Sequence, residues 1–126
     1  MICSQTKQII CTAVDKGTKH DFRVFKDSEG KLDRVDQLKA DSGYQGIQKL
    51  YPAATQLPFK STKAKPLTKE QKKHNHCLAV DRVVIEHVIR ALKIFKILAY
   101  PYRNRRKRFQ LRLNLIAGLY NYKLQT

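Results

Sequence analysis

The 126-residue chain is short of acid: ten Asp and Glu stand against 26 Lys and Arg, a formal net charge of +16. That balance implies a polyanionic partner, of which nucleic acid is the commonest. The shortage is uneven. Residues 1–59 hold nine basic side chains against seven acidic ones, whereas residues 60–126 hold seventeen against three. The first part reads as ordinary fold and the second as a binding surface. Tryptophan is absent, which argues against a membrane-surface role for the basic helices. Cys3, Cys11 and Cys77 are an odd set with no CxxC pair. They suit reduced thiols in a cytosolic protein and exclude a disulfide scaffold. No apolar run approaches the ~20 residues of a membrane span, and the N-terminus has no charged-then-apolar signal pattern. A cytoplasmic, nucleoid-associated location is expected. With 42% apolar residues, the chain can bury one modest core.

Met1–Val14 reads as a hairpin about a polar Ser4–Lys7 turn, with Gln8–Val14 the better strand. A short helix follows through Phe22, Val24 and Phe25 to about Ser28, with His20 and Asp21 as its cap. Asp33–Ala40 reads as a strand that stops at the Gly-containing turn Asp41–Gly46. Tyr44–Tyr51 reads as a short helix closed by Pro52, and Thr55–Phe59 as an edge strand interrupted by Pro58. After the basic stretch Lys60–Lys73, Thr68 and Gln71 have the spacing of a capping box. The helix they start should run through residue 98, with Asn75 as a candidate break, and Tyr100-Pro-Tyr should end it. A last helix places Leu111, Leu115, Ile116, Leu119 and Tyr120 on one side. Strands come early and helices late around one alternating stretch, which predicts an α/β fold. The expected organisation is one domain, with a strand-rich part at 1–59, a basic connector at 60–80 and a helical part at 81–126.

Chemistry concentrates in two places. Asp81–Lys96 makes a two-faced helix at ~100° per residue. Val84, Val88, Ala91, Leu92, Phe95 and Leu98 gather on one side; Arg82, Glu86, Arg90 and Lys93 gather on the other. One carboxylate among three cations is unusual for a plain solvated face. The simplest role for Glu86 is i,i+4 pairing with Arg82 and Arg90. Asp41 closes a strand, where open α/β sheets place their ligands. Two carboxylates from separate elements, brought together, suit a hard cation such as Mg²⁺ or Mn²⁺. The densest basic cluster is Arg103, Arg105, Arg106, Lys107 and Arg108, expected to meet phosphates with little regard to sequence. Tyr100, Tyr102 and Phe109 flank it and read as packing residues ahead of base-stacking platforms. His74, His76 and Cys77 are too few for a zinc site and read as surface linker. His87 points sideways from Glu86 and reads as structural.

Ala40-Asp-Ser-Gly-Tyr-Gln-Gly46 resembles the turn carrying the second catalytic aspartate of bacterial insertion-sequence transposases of the DDE superfamily. Arg82-x3-Glu86-x6-Lys93 resembles the signature around that superfamily's catalytic glutamate. Lys19–Phe25, and Tyr102–Phe109 through Asn114–Tyr120, are similar to the insertion-sequence-five group. The resemblance implies a ribonuclease-H-like catalytic core that uses divalent metal, Mg²⁺ or Mn²⁺, to cut and join DNA at the ends of its own element. It makes Asp41 and Glu86 the second and third catalytic, metal-holding acids. Arg82, Arg90, Lys93 and the 103–108 cluster would hold DNA. The family's first aspartate and its helix-turn-helix segment lie upstream of anything here, so the core is expected to be incomplete, its first catalytic strand missing. The chain would be a remnant, or a second reading frame whose upstream chain supplies the first acid, with homo-oligomerisation an open possibility. DNA association with negligible cleavage is expected. The competing expectation is a non-enzymatic basic nucleic-acid-binding protein, such as a ribosome-associated one.

Overall fold

The computed structural model describes residues 1–28, 36–52, 54–103 and 106–126, with Arg106 described by its backbone alone. The chain divides into two compact units, one of Met1–Val14 with Asp81–Thr126, the other of Asp15–Val80. In order, the elements are α1 (Asp21–Asp27), β1 (Leu38–Lys39), a 3₁₀ turn (Ser42–Tyr44), α2 (Ile47–Leu50), β2 (Thr55–Gln56), α3 (Lys69–Leu92), α4 (Lys96–Ala99), a 3₁₀ turn (Arg106–Arg108) and α5 (Phe109–Gln125). The result is a mixed, mainly helical chain with a small two-stranded parallel sheet and long C-terminal helices, compatible with the α/β expectation. No described helix is long and apolar enough to cross a membrane.

In the unit Asp15–Val80, β1 and β2 pair in parallel, Leu38 with Thr55 and Lys39 with Gln56. The connection between them holds Asp41. Ile47, fully buried on α2, and Leu57, buried after β2, are the apolar anchors here. A side chain of that kind taken fully out of water contributes about 1.5–3 kcal/mol. Residues 33–35 of the expected strand lie outside the described residues, and its described part pairs only at Leu38–Lys39. The helix at α1 forms where expected, but His20, its capping position, makes no side-chain cap hydrogen bond. Lys19 contacts both Asp15 and Asp27 at 2.5 Å and ties the approach of α1 to its last turn.

The capping box of α3 forms in both directions. Gln71 N–H donates to Thr68 Oγ1 at 3.2 Å, and Thr68 N–H donates to Gln71 Oε1 at 3.0 Å. Asn75 does not break the helix. Its side chain turns outward and pairs with both backbone groups of Phe59, accepting from N–H at 2.8 Å and donating to C=O at 2.9 Å. His74 sits beside it, 3.3 Å from Leu57 C=O and edge-on to the Phe59 ring. The stretch His74–Cys77 is therefore helix, not linker.

In the unit of Met1–Val14 and Asp81–Thr126, the expected hairpin is reduced to an antiparallel bridge between Ile2 and Ile9, and Ile10–Val14 does not form the strand expected of it. Its turn closes with Lys7 at φ +60°, an uncommon conformation for a residue with a Cβ. The other side of the hairpin meets a side chain where a strand would lie. Ile9 N–H donates to Asn121 Oδ1 at 2.8 Å and Ile9 C=O accepts from Asn121 Nδ2 at 2.9 Å. Gln110, one face of α5 further back, donates to Thr12 Oγ1 at 2.7 Å. The core of this unit is Ile9, Val88 and Ala117, with Ile2, Leu92 and Tyr120 packed against it.

Two apolar faces are only partly buried. On α5 the buried pair is Ile116 and Ala117, while Leu111, Leu115 and Leu119 are each about 60% exposed. Gln110 and Asn121 must face the hairpin backbone to make their bonds, and that turns the leucine stripe outward. The long helix also ends early. Backbone bonds from Ile94 to Ala91 and from Phe95 to Leu92 tighten its last turn, and Phe95 leaves the helical region at ψ 109°. Phe95 is 40% exposed as a result, and Leu98 is carried on the separate helix α4. Tyr100 is extended at ψ 159°, as a residue before proline must be.

Candidate active site

The turn that carries Asp41 is fixed by contacts far away in sequence. Leu38 and Ala40 donate their N–H groups to Ala54 and Gln56, which locks the strand end immediately before it. Asp41 is itself extended (φ −79°, ψ 167°) and caps the 3₁₀ turn, its Oδ1 accepting from Ser42 N–H at 2.6 Å. Gly46 then takes φ +99°, which a side chain resists, and a Cβ there would come within 3.2 Å of the Phe22 ring. Gly43 has open space and an ordinary φ. Phe25 meets Tyr44 and Tyr51 edge-on, at 6.3 and 6.4 Å between ring centres. The aromatic pair of α1 therefore props the turn from one side. Burial pushes the Tyr44 hydroxyl above its ordinary pKa, and the charges of Asp21 and Asp41 add to the shift. The Asp41 carboxylate itself is exposed.

Glu86 is placed by the helix alone. Arg82, Glu86, Arg90 and Lys93 are all exposed along α3 and its last turn, with Val84 and Ile85 half-buried and Val88 fully buried behind them. Lys93 keeps the helical bond from its N–H to Ile89 C=O at 3.0 Å, so it stays in register although it lies past Leu92. Arg82 Nε stands 3.5 Å from Glu86 Oε1. The simple i,i+4 pair is thus formed on the Arg82 side; with both partners more than half exposed it contributes little to stability. His87 is exposed on α3.

Of the basic cluster, Arg103, Lys107 and Arg108 are exposed, Arg105 lies outside the described residues, and the Arg106 side chain is not described. Tyr102 and Phe109 pack on each other at 4.7 Å between ring centres. Arg112 lies over the Tyr102 ring and donates to its hydroxyl. Two of the three flanking aromatics are therefore packing residues, while Tyr100 remains 68% exposed.

Asp41 belongs to the unit Asp15–Val80 and Glu86 to the other. As oxygen donors both suit a hard divalent cation. In number they fall short of a closed site: among the described residues, no three His, Cys, Asp or Glu side chains gather around a position that could hold a metal. Sequence reasoning missed Asn75, Asn121 and the Gly46–Phe22 contact. The asparagines carried a signal, since Asn is a poor helix former and a helix that keeps one commonly uses its side chain elsewhere.

Residues 1–121 match the model of a family described as DDE superfamily endonuclease. The chain is 52% identical over 124 residues to the probable transposase for insertion sequence element IS702 of Microchaete diplosiphon. That alignment covers 98% of this chain and 45% of the relative, so the chain spans about half the relative's length. No solved structure matches it. With the family match running through both the Asp41 turn and the Glu86 helix, the chain belongs to the DDE superfamily endonucleases and is similar to an insertion-sequence transposase.

Proposed function

We propose that this chain is one partial catalytic domain of a DDE transposase, with a ribonuclease-H-like core that is incomplete within these 126 residues. In the complete protein the activity is metal-dependent cleavage and transfer of DNA strands at the ends of an insertion element. Asp41 and Glu86 are the second and third acids of the site, and the first comes from polypeptide outside this chain. The observation that carries the reading is the family match through residues 1–121, which takes in both acids. It is supported by the exposed Arg82–Glu86–Arg90–Lys93 stripe on α3, which offers one carboxylate among cations to solvent.

Asp41 and Glu86 would hold Mg²⁺ or Mn²⁺, and when bound such ions activate water and stabilise a leaving oxygen in phosphodiester cleavage. The chain's own residues do the rest. Arg82 orients the Glu86 carboxylate through the pair it already makes. Arg90 and Lys93 neutralise phosphates of the strand lying along the helix. Arg103, Arg105, Arg106, Lys107 and Arg108 hold the backbone of DNA further away, without reading its bases. With two of three ligands, this chain alone binds DNA and does not cut it efficiently.

A nicking assay on supercoiled plasmid carrying element ends, in the presence of Mn²⁺, tests this. The chain alone should leave the plasmid intact. Robust nicking that Glu86→Gln abolishes would show a complete site within these residues and overturn the incomplete-core reading.

A further inference from the structure

Residues 60–73 carry six lysines, Lys60, Lys63, Lys65, Lys69, Lys72 and Lys73, against the single acid Glu70. A run of this kind is ordinarily a solvated, mobile face, but here it is built. Thr62 and Lys65 exchange backbone hydrogen bonds at 3.3 and 3.1 Å, and Thr62 Oγ1 accepts a further bond from Lys65 N–H at 3.1 Å. Both ends of the loop are tied to the same helix. Its entry is held at Phe59, whose N–H and C=O both pair with Asn75. Its exit is held at Thr68 by the reciprocal bonds with Gln71. Gln71 and Asn75 are one helical turn apart on α3, so the loop leaves and re-enters at neighbouring points.

All six lysines are exposed, and among the described ion pairs none involves them. Holding six like charges in one short segment against a single acid costs free energy, which an external polyanion removes. Between Lys60 and Pro66 there is no large apolar side chain of the kind that anchors protein interfaces. Lysine ammonium groups are point charges that suit phosphate oxygens without base selectivity.

We propose that the lysine-rich segment 60–73, a loop together with the first turn of α3, is a second DNA contact surface, separate in sequence from the 103–108 cluster, which grips the phosphate backbone of duplex DNA. Asn75 is its positioning residue: it adds no charge but fixes the base from which the loop projects. The inference rests on the DNA partner proposed above and adds a surface that the family motifs around Asp41 and Glu86 do not include.

The test is salt-dependent binding of the whole chain to a fluorescent random-sequence duplex. In Lys60→Gln/Lys63→Gln/Lys65→Gln the slope of log K against log salt should fall by about 0.9 for each phosphate contact removed. Three contacts predict a drop of roughly 2–3, with at least a tenfold loss of affinity at ~0.1 M salt. Asn75→Ala should weaken binding several-fold with little change of slope, because the charges remain. Arg103→Gln/Lys107→Gln/Arg108→Gln separates the two readings. If it weakens binding while the lysine variant binds like the parent, the loop proposal falls and the DNA reading stands. If the parent does not bind duplex at all, both fall. Equal affinity for vesicles of anionic phospholipid would reassign the loop to a membrane surface and overturn the proposal. Unchanged affinity in Asn75→Ala, with the fold intact by circular dichroism, would overturn its positioning role.

Discussion

The turn at Asp41 and the helix at Glu86 present the same functional group by opposite means. Asp41 depends on partners brought in from other elements of its unit: the strand end at Gln56, the aromatic pair on α1 and a left-handed glycine. Glu86 depends on local features: helical register, the burial of Val88 behind it and the pair with Arg82 one turn away. A carboxylate on a turn of this kind is aimed by tertiary packing, so remote substitutions can re-aim it. A carboxylate in mid-helix keeps its direction as long as the helix persists. Substitutions of equal size should therefore have unequal consequences in the two regions, and that asymmetry can be broken or sharpened.

The largest effect is expected at Ile47, fully buried directly after the turn. Ile47→Ala should destabilise the protein by about 2–5 kcal/mol, read from urea unfolding midpoints. Gly46→Ala should come next, at about 2 kcal/mol, since it adds left-handed strain and a contact on Phe22. Gly43→Ala, with open space around it, is the control and should cost no more than a few tenths of that figure. Equal losses at the two glycines would remove the claim that Phe22 and Gly46 shape the turn. Thr68→Ala, which removes half of the capping box, should cost about 1 kcal/mol. Arg82→Ala on the Glu86 helix should cost less than about 0.5 kcal/mol, because the pair it breaks is exposed.

A smaller, pH-dependent effect belongs to Lys19. Its hydrogen bonds and charge hold the Asp15 and Asp27 carboxyls below their ordinary range. A carboxyl whose folded pKa is depressed adds stability above its unfolded value, about 4. That stability is lost as the pH falls through the folded value. Unfolding midpoints should drop below about pH 4 in the parent and drop less steeply in Lys19→Met. Parallel profiles would contradict the assignment.

Much of this fold was legible in local signals. The Thr68–Gln71 spacing marked where α3 starts, and the Tyr100–Pro101 step marked where its successor must stop. The order of strands and helices followed from β-branched runs, turn residues and helical periodicity. What stayed hidden was tertiary. Nothing between Ala91 and Lys96 is a Pro or Gly, yet the helix breaks there. Periodicity gathered the α5 leucines on one side but did not say which way that side faces; the side-chain bonds of Gln110 and Asn121 to the hairpin turn it outward. Asn75 looked like a helix breaker because propensity counts its cost and is blind to the backbone it clamps. Of the candidate site, residue types and register along α3 were readable in advance. The props of the Asp41 turn were not, because Phe22, Gly46 and Gln56 are brought together only by folding.

The proposed site requires that Asp41 and Glu86 serve one divalent cation. The most direct measurement is paramagnetic broadening of backbone amide resonances by substoichiometric Mn²⁺. The account predicts that residues 41–43 and 85–87 broaden together, and that either Asp41→Asn or Glu86→Gln restores both sets. Broadening at one set alone, or broadening at one that survives loss of the other acid, would contradict it.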